Sequence, residues 1–294
     1  MGEDSRLGPG PPAAGPPGAD LPAARDGFGV DFLGVRVDTP VLDGPLRDDA
    51  VTWEGGDAIP YTHFSLALSR SRRLARWVGW NIDGADLLKL SRSDIAFATD
   101  PRLPEDVQTG NELYAGNRLD RGHLARRADL LWGGPEEAQR ANRDSFRYTN
   151  IAPQIDDFNQ SSRNGLWGRL EDALFEGVDV ENLRASVFGG PVFQDDDRVY
   201  RGVQLPREYW KLVVFVEDGA LRARAFLLAQ DLVQLRALPD LDEFRVYQIT
   251  VPELEERTRL RFPEALHAAD VPAAAISGVP GERQPLADLD DIRW

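Results

Sequence analysis

The chain of 294 residues has three histidines, His63, His123 and His267. Histidine is the side chain whose charge changes near neutral pH, so acid–base chemistry has few places to sit here. His123 stands out by its neighbours. It lies in Asn117-Arg118-Leu119-Asp120-Arg121-Gly122-His123-Leu124-Ala125-Arg126-Arg127, a window with four arginines against one aspartate. An imidazole ringed by guanidiniums suits a site that receives phosphate, because the guanidinium fork matches phosphate oxygens. Gly122 lets the backbone turn sharply beside the base. Taken alone, the same window reads equally well as a solvated basic face. His63 sits in an alternating apolar run and reads as a core or edge histidine. His267, in Ala265-Leu266-His267-Ala268, reads as a surface helix residue.

A second polar stretch follows, Tyr148-Thr149-Asn150-Ile151-Ala152-Pro153-Gln154-Ile155-Asp156-Asp157-Phe158-Asn159-Gln160, and then Gly165-Leu166-Trp167-Gly168-Arg169-Leu170-Glu171. Amide and carboxylate oxygens are hard ligands of the kind Mg²⁺ takes, and Mg²⁺ keeps several waters and few protein ligands.

The composition excludes much else. The chain holds no cysteine, which removes disulfides, thiol nucleophiles, thiolate zinc sites and iron–sulfur clusters together. There is no Gly-rich loop ending in Gly-Lys, no His-Glu-x-x-His and no Gly-x-Ser-x-Gly. No run approaches the length of a membrane span. The 49 acidic against 34 basic residues give a net charge of −15, which argues against stoichiometric coating of nucleic acid but not against a locally basic cleft.

The elements that must position these groups are a sheet and a few helices. Strands are expected at Val30–Val37, Tyr61–Leu68, Leu74–Ile82, Ala185–Phe188, Trp210–Phe215, Ala223–Leu228 and Phe244–Ile249, where apolar residues alternate or run together. Residues 135–146 open with Pro135 and two acids, a helix start, and Leu166, Leu170 and Leu174 share a helical face. Pro252–Arg257 opens a late helix. This is the pattern of one α+β domain on a mainly antiparallel sheet. Residues 1–27 hold 12 prolines and glycines and are expected to be a disordered leader; the domain is set at 28–268, with a tail at 269–294. Residues 69–77 carry four arginines and no acid, a strip equally suited to ion pairs within the protein and to phosphate contact.

The ordered set Asp120-Arg-Gly-His123, Thr149-Asn-Ile-Ala-Pro-Gln154, Phe158-Asn-Gln160 and Trp167-Gly-Arg-Leu-Glu171 resembles the DNA/RNA non-specific endonuclease family. That family includes the secreted Serratia-type nuclease and mitochondrial endonuclease G. Supporting matches are Leu74–Ile82, Glu208–Lys211, Phe226–Ala229 and Val251–Thr258, so the likeness covers roughly residues 60–265. Each motif alone is weak, whereas their order is specific. The resemblance implies a ββα-metal (His-Me finger) motif embedded in a mainly antiparallel α+β sheet. It implies Mg²⁺-dependent hydrolysis of phosphodiester bonds in DNA and RNA, with Mn²⁺ able to substitute.

Carried over residue by residue, His123 resembles the general base that takes a proton from water. Asn159 resembles the one direct metal ligand, and Glu171 the carboxylate that holds a metal-bound water. Arg121 would meet those waters or phosphate. Asn150 would fix the site or the scissile phosphate, and Arg92 would stabilise the pentacovalent phosphorane. Asp120 would orient the motif's backbone, and Arg118, Arg126 and Arg127 would bind substrate. The sequence departs from the family's spacing: Asn159 precedes Trp167 by eight residues rather than about four, so Asn164 is a rival metal ligand. Where the secreted enzyme has a second arginine after the glutamate, this chain has Phe175. The partners implied are DNA and RNA, with a homodimer and a proteinaceous inhibitor as further associations and no membrane. Without a signal segment the expected compartment is the cytoplasm, export by another route being the alternative. Two other readings stand beside this one: a catalytically idle relative that binds nucleic acid or protein, and a delivered toxin or defence nuclease tethered by its leader.

Overall fold

The computed structural model describes residues 25–92, 95–155, 184–229 and 245–271, together with 276, 285–286 and 291–293. Seven strands form one sheet in the order β1-β2-β3-β6-β9-β10-β11, every neighbouring pair antiparallel. They are β1 (Ile59–Pro60), β2 (Phe64–Leu68), β3 (Ala75–Asp83), β6 (Arg184–Val192), β9 (Glu208–Glu217), β10 (Ala220–Ala229) and β11 (Arg245–Ile249). Two further pairs lie outside it: β4 (Leu119–His123) with β5 (Ile151–Ile155), and β7 (Arg198–Tyr200) with β8 (Val203–Leu205). The described helices are α1 (Pro45–Asp48), α2 (Asn111–Tyr114), α3 (Pro135–Ser145), α4 (Val251–Thr258) and α5 (Glu264–Ala269). No described helix is long and apolar enough to cross a membrane.

The large sheet is covered on both faces, which is why its strands read as near-continuous apolar runs. Side chains alternate between two cores with the period of the pleat. Leu66, Trp80, Val213 and Phe226 point to one core, which continues through Leu119, Leu124, Tyr148 and Ile151 to the β4–β5 pair. Trp77, Leu212 and Leu227 point to the other, under Leu254 of α4, Leu266 of α5 and Phe28. The rigid slab thereby carries the β4–β5 pair on one face.

Backbones pack closely where β6 runs beside β3. A Cβ on Gly190 would lie 2.6 Å from the Arg76 carbonyl oxygen. Backbone cannot move aside as a side chain can, so Gly190→Ala is expected to destabilise the fold by about 2 kcal/mol. Urea unfolding followed by circular dichroism checks this: the midpoint should fall with the slope unchanged.

The α+β class with a mainly antiparallel sheet is as the sequence indicates, and six of the seven expected strands form. Val30–Val37 does not. Its amides close turns instead, Phe32 to Gly29, Gly34 to Asp31 and Val37 to Val30, and Gly34 has φ 75°. Alternating apolar residues there line a loop against the sheet rather than a strand. β2 likewise begins at Phe64, not Tyr61, because His63 has φ 69°, outside the extended region. The segment after 268, expected to be a tail, returns to β11 at its described positions. Leu286 donates its amide to the Val246 carbonyl, and the Gln248 side chain both donates to and accepts from the Arg293 backbone. The proposed leader 1–27 lies almost wholly outside the described residues, as does the helix carrying Leu166, Leu170 and Leu174.

Candidate active site

β4 carries His123 at its end, paired with Ile151 of β5, and Gly122 faces Ala152. The glycine is dictated by space: a Cβ on it would sit 2.0 Å from the Oε1 of Gln154, which folds across the strand. Immediately after His123 the chain is clamped by Asn150, whose side chain is fully buried. Its Oδ1 accepts from the Ala125 amide at 2.9 Å, and its Nδ2 donates to the carbonyls of Ala125 and Ser145, both at 3.1 Å. The Asn150 carbonyl accepts from Leu124 at 2.9 Å. One side chain thus ties the end of β4, the end of α3 and the start of β5 into a single unit.

His123 packs against the edges of Phe97 and Phe146, with ring centroids 5.8 and 5.2 Å away. Its Nε2 is inaccessible and has no hydrogen-bond partner. Burial, reinforced by the positive charges of Arg92 and Arg127, pushes the imidazole down to about 3, so the ring is neutral at physiological pH. Arg127 donates from Nε to the Asn142 Oδ1 at 2.6 Å and from its terminal nitrogen to the Leu90 carbonyl at 2.6 Å. Asn142 turns its amide to the Ser91 carbonyl at 3.1 Å. This one asparagine of α3 therefore holds both Arg127 and the backbone next to the exposed Arg92. Arg121 is set differently. It is bonded to the Asn111 Oδ1, donates to the Tyr148 hydroxyl at 3.4 Å, and lies over the rings of Phe97 and Tyr114.

Of the residues expected to form the site, His123, Arg92, Arg127, Arg121 and Asn150 come together around the β4–β5 pair. Arg118 is exposed, and Arg126 and Asp120 are half-buried on the same segment. Asn159, Asn164, Glu171 and Phe175 lie outside the described residues. Asn111, Asn142, Tyr114 and Phe97 escaped the sequence reading. They belong to no motif, and only the tertiary contact with Arg121, Arg127 or His123 reveals them.

The other two histidines serve the frame. His63 stacks on Trp132 at 3.4 Å between centroids, with Nδ1 2.8 Å from the Leu130 carbonyl and Nε2 3.1 Å from Glu137. His267, on α5, sits 3.1 Å from Glu255. The arginine strip 69–77 is mostly turned inward. Arg72 is buried with Asp197 at 3.0 Å, Arg76 pairs with Asp49 at 2.8 Å, and Arg73 donates to the Gly202 carbonyl at 3.1 Å. Two of the four arginines, Arg72 and Arg76, are taken up in ion pairs within the protein, whereas Arg70 is exposed.

If His123 serves as a general base, it works in its neutral form, and a ring held neutral well below the ordinary histidine value keeps kcat/KM level as pH falls through 6.5. Removing a nearby positive charge eases protonation, so Arg92→Ala is expected to move the acid limb of the profile upward towards 6.5. A pH–rate series on both proteins checks the direction.

Guanidiniums thus converge on a half-buried imidazole carried by an antiparallel α+β slab. The chain belongs to the DNA/RNA non-specific endonuclease family, whose model matches residues 46–269. An uncharacterised protein, y4fB, of Sinorhizobium fredii (strain NBRC 101917 / NGR234) is 35% identical over 290 residues. That match takes in 92% of this chain and 43% of that protein, so the chain spans less than half of the relative's length. A protein named nuclease from Nostoc sp. (strain PCC 7120) is 29% identical over 206 residues, 68% of this chain and 70% of that one. Human mitochondrial endonuclease G is 35% identical over 152 residues, 47% of each chain. Among solved structures, a chain of the EndoG/EndoGI complex, determined for the mechanism of EndoG inhibition, superposes with a TM-score of 0.53. At 19% identity over 70% of this chain and 84% of that one, it shows a shared fold.

Proposed function

We propose that the chain hydrolyses internal phosphodiester bonds of both DNA and RNA, with His123 as general base, assisted by one Mg²⁺ that Mn²⁺ can replace. The observation that carries this reading is the half-buried imidazole of His123 at the end of β4, packed on Phe97 with the Arg121 guanidinium over the same ring and within the electrostatic reach of Arg92 and Arg127. With Nε2 shut away, the proton of the attacking water passes to Nδ1. Arg92, which reaches into solvent, meets the charge that grows on the phosphorus oxygens, and Arg127 backs it. Arg121, two residues before His123 on the same face of β4 and over the same Phe97 ring, meets the phosphate beside the base, and Arg118 and Arg126 contact the flanking backbone. Asn150 acts on the chain around the base rather than on phosphate, since its amide is spent on backbone partners.

The described part of the site supplies one imidazole and several guanidiniums, with the amide and hydroxyl oxygens of Asn111, Asn142 and Tyr148 turned to the arginines. Among the described residues no group of three His, Cys, Asp or Glu could hold a metal ion. The oxygen ligands proposed for Mg²⁺ lie on the segment 156–183, as the family resemblance implies. There Asn159, with Asn164 as the alternative, would be the direct ligand and Glu171 would hold a metal-bound water. When bound, the ion supplies positive charge to the leaving oxygen, which separates the Lewis acid from the nucleophile's base. DNA and RNA are the proposed substrates. A homodimer and a proteinaceous inhibitor are the proposed associations, the latter because the structural neighbour was solved as an EndoG/EndoGI complex that explains EndoG inhibition.

Supercoiled plasmid and single-stranded RNA incubated with Mg²⁺ should both be degraded, and EDTA should spare both. Degradation that continues in EDTA would contradict the reading. So would retained nucleic-acid binding with no cutting under any divalent ion, which would make the chain an idle relative. Binding should weaken steeply with salt, as contacts to phosphate do.

A further inference from the structure

The β7–β8 hairpin takes no part in the chemistry above, yet it reaches the site's supports. Its two-residue turn is Arg201-Gly202, with φ 49° and 77°. Two positive φ values are the geometry of a tight hairpin loop, normally filled by Asn-Gly or Gly-Gly. Arginine at the first position is disfavoured there, since its Cβ crowds the backbone. Its guanidinium supplies the reason to keep it. The same nitrogen donates to the Glu112 carbonyl at 2.8 Å and the Ala115 carbonyl at 2.7 Å. These carbonyls face out of the last turn of α2, where a cation is favoured. A second tie lies beside it: Asn117 donates to the Tyr200 hydroxyl at 3.3 Å and to the Leu113 carbonyl at 2.7 Å.

α2 is the element that holds Arg121. Asn111 at its start bonds the guanidinium, and the Tyr114 ring at its end lies 5.2 Å beneath it. Leu113 and Tyr114 seat α2 in the core, but a four-residue helix has little internal hydrogen bonding to hold its end, so what fixes that end orients the residues that hold Arg121. We infer that Arg201 is a positioning residue for the reaction: by clamping the carbonyls of α2 from the β7–β8 turn, it sets the Asn111–Tyr114 cradle that aims Arg121 at substrate phosphate. This rests on the reading that Arg121 meets phosphate.

Arg201→Gly separates positioning from stability, because glycine relieves the backbone at that φ while removing the clamp. Arg201→Asn, which also tolerates the left-handed conformation but cannot reach α2, is the second variant. Both should melt close to the wild type and lose about tenfold in kcat/KM on plasmid DNA, mainly through KM. Arg201→Lys, which keeps a cation at the carbonyls, should recover part of the loss. The deciding readout is the double variant. Arg201→Gly combined with Arg121→Ala should be no slower than Arg121→Ala alone, since one acts through the other. Additive losses, or full activity in Arg201→Gly and Arg201→Asn while Arg121→Ala is impaired, would overturn the inference and leave the function proposed for Arg121 intact. Full activity in Arg121→Ala would overturn both.

Discussion

His123→Ala should cut supercoiled plasmid roughly 10³-fold more slowly than the wild type while remaining folded. A positioned general base contributes about 10²–10⁴ in rate. No other histidine can stand in for it, since His63 is committed to Leu130 and Glu137 and His267 to Glu255. The fold should tolerate the change. His123 is half-buried, makes no hydrogen bond through Nε2, and touches Phe97 and Phe146 only edge-on or tilted. Its removal costs packing but strands no polar partner. Single-turnover cleavage with Mg²⁺ in excess, beside a circular dichroism melt, measures both halves of the expectation. Cleavage within a few-fold of wild type would remove His123 from the chemistry.

Asn150→Ala is expected to have the largest effect on stability. It deletes three side-chain hydrogen bonds and leaves the Ala125 amide and the carbonyls of Ala125 and Ser145 without those partners in a fully buried place. Unsatisfied buried groups cost about 1–3 kcal/mol each, and partial collapse around the gap brings the sum to about 4 kcal/mol. For a chain of this size that lowers the melting temperature by roughly 10 °C. Asn150→Asp should not rescue it. The aspartate keeps the acceptor for Ala125 but turns a charged oxygen towards two carbonyls. Both variants should lose activity even well below their melting temperatures, because the clamp sets where β4 ends and hence where His123 points. Thermal melts and cleavage at low temperature test this; a variant as active as wild type when fully folded would confine Asn150 to stability.

The sheet was legible because both of its faces are buried, so its strands announce themselves as apolar runs such as Trp210–Phe215 and Ala223–Leu228. Alternation misled at Val30–Val37, where the apolar side chains line the sheet from a loop that turns at Gly34. The candidate base His123 could be singled out because Asp120–His123 is one short strand segment whose order relative to Thr149–Gln154 survives in the linear chain. Its supports were not. Asn142 meets Arg127 across 15 residues, Arg201 meets Glu112 across 89, and neither partner carries a pattern. The strip at Arg70–Arg76 shows the same limit. Charge is visible in sequence, but whether it faces phosphate or Asp49 and Asp197 is decided only by packing.

With three histidines in the chain, the ring resonances of His123 can be followed singly by NMR, assigned by their loss in His123→Ala. Titrating the wild type from pH 8 downward should leave that ring neutral through 6.5 and protonated only well below it. A ring half-protonated at or above 6.5 would contradict the neutral, recessed base on which the proposed hydrolysis depends.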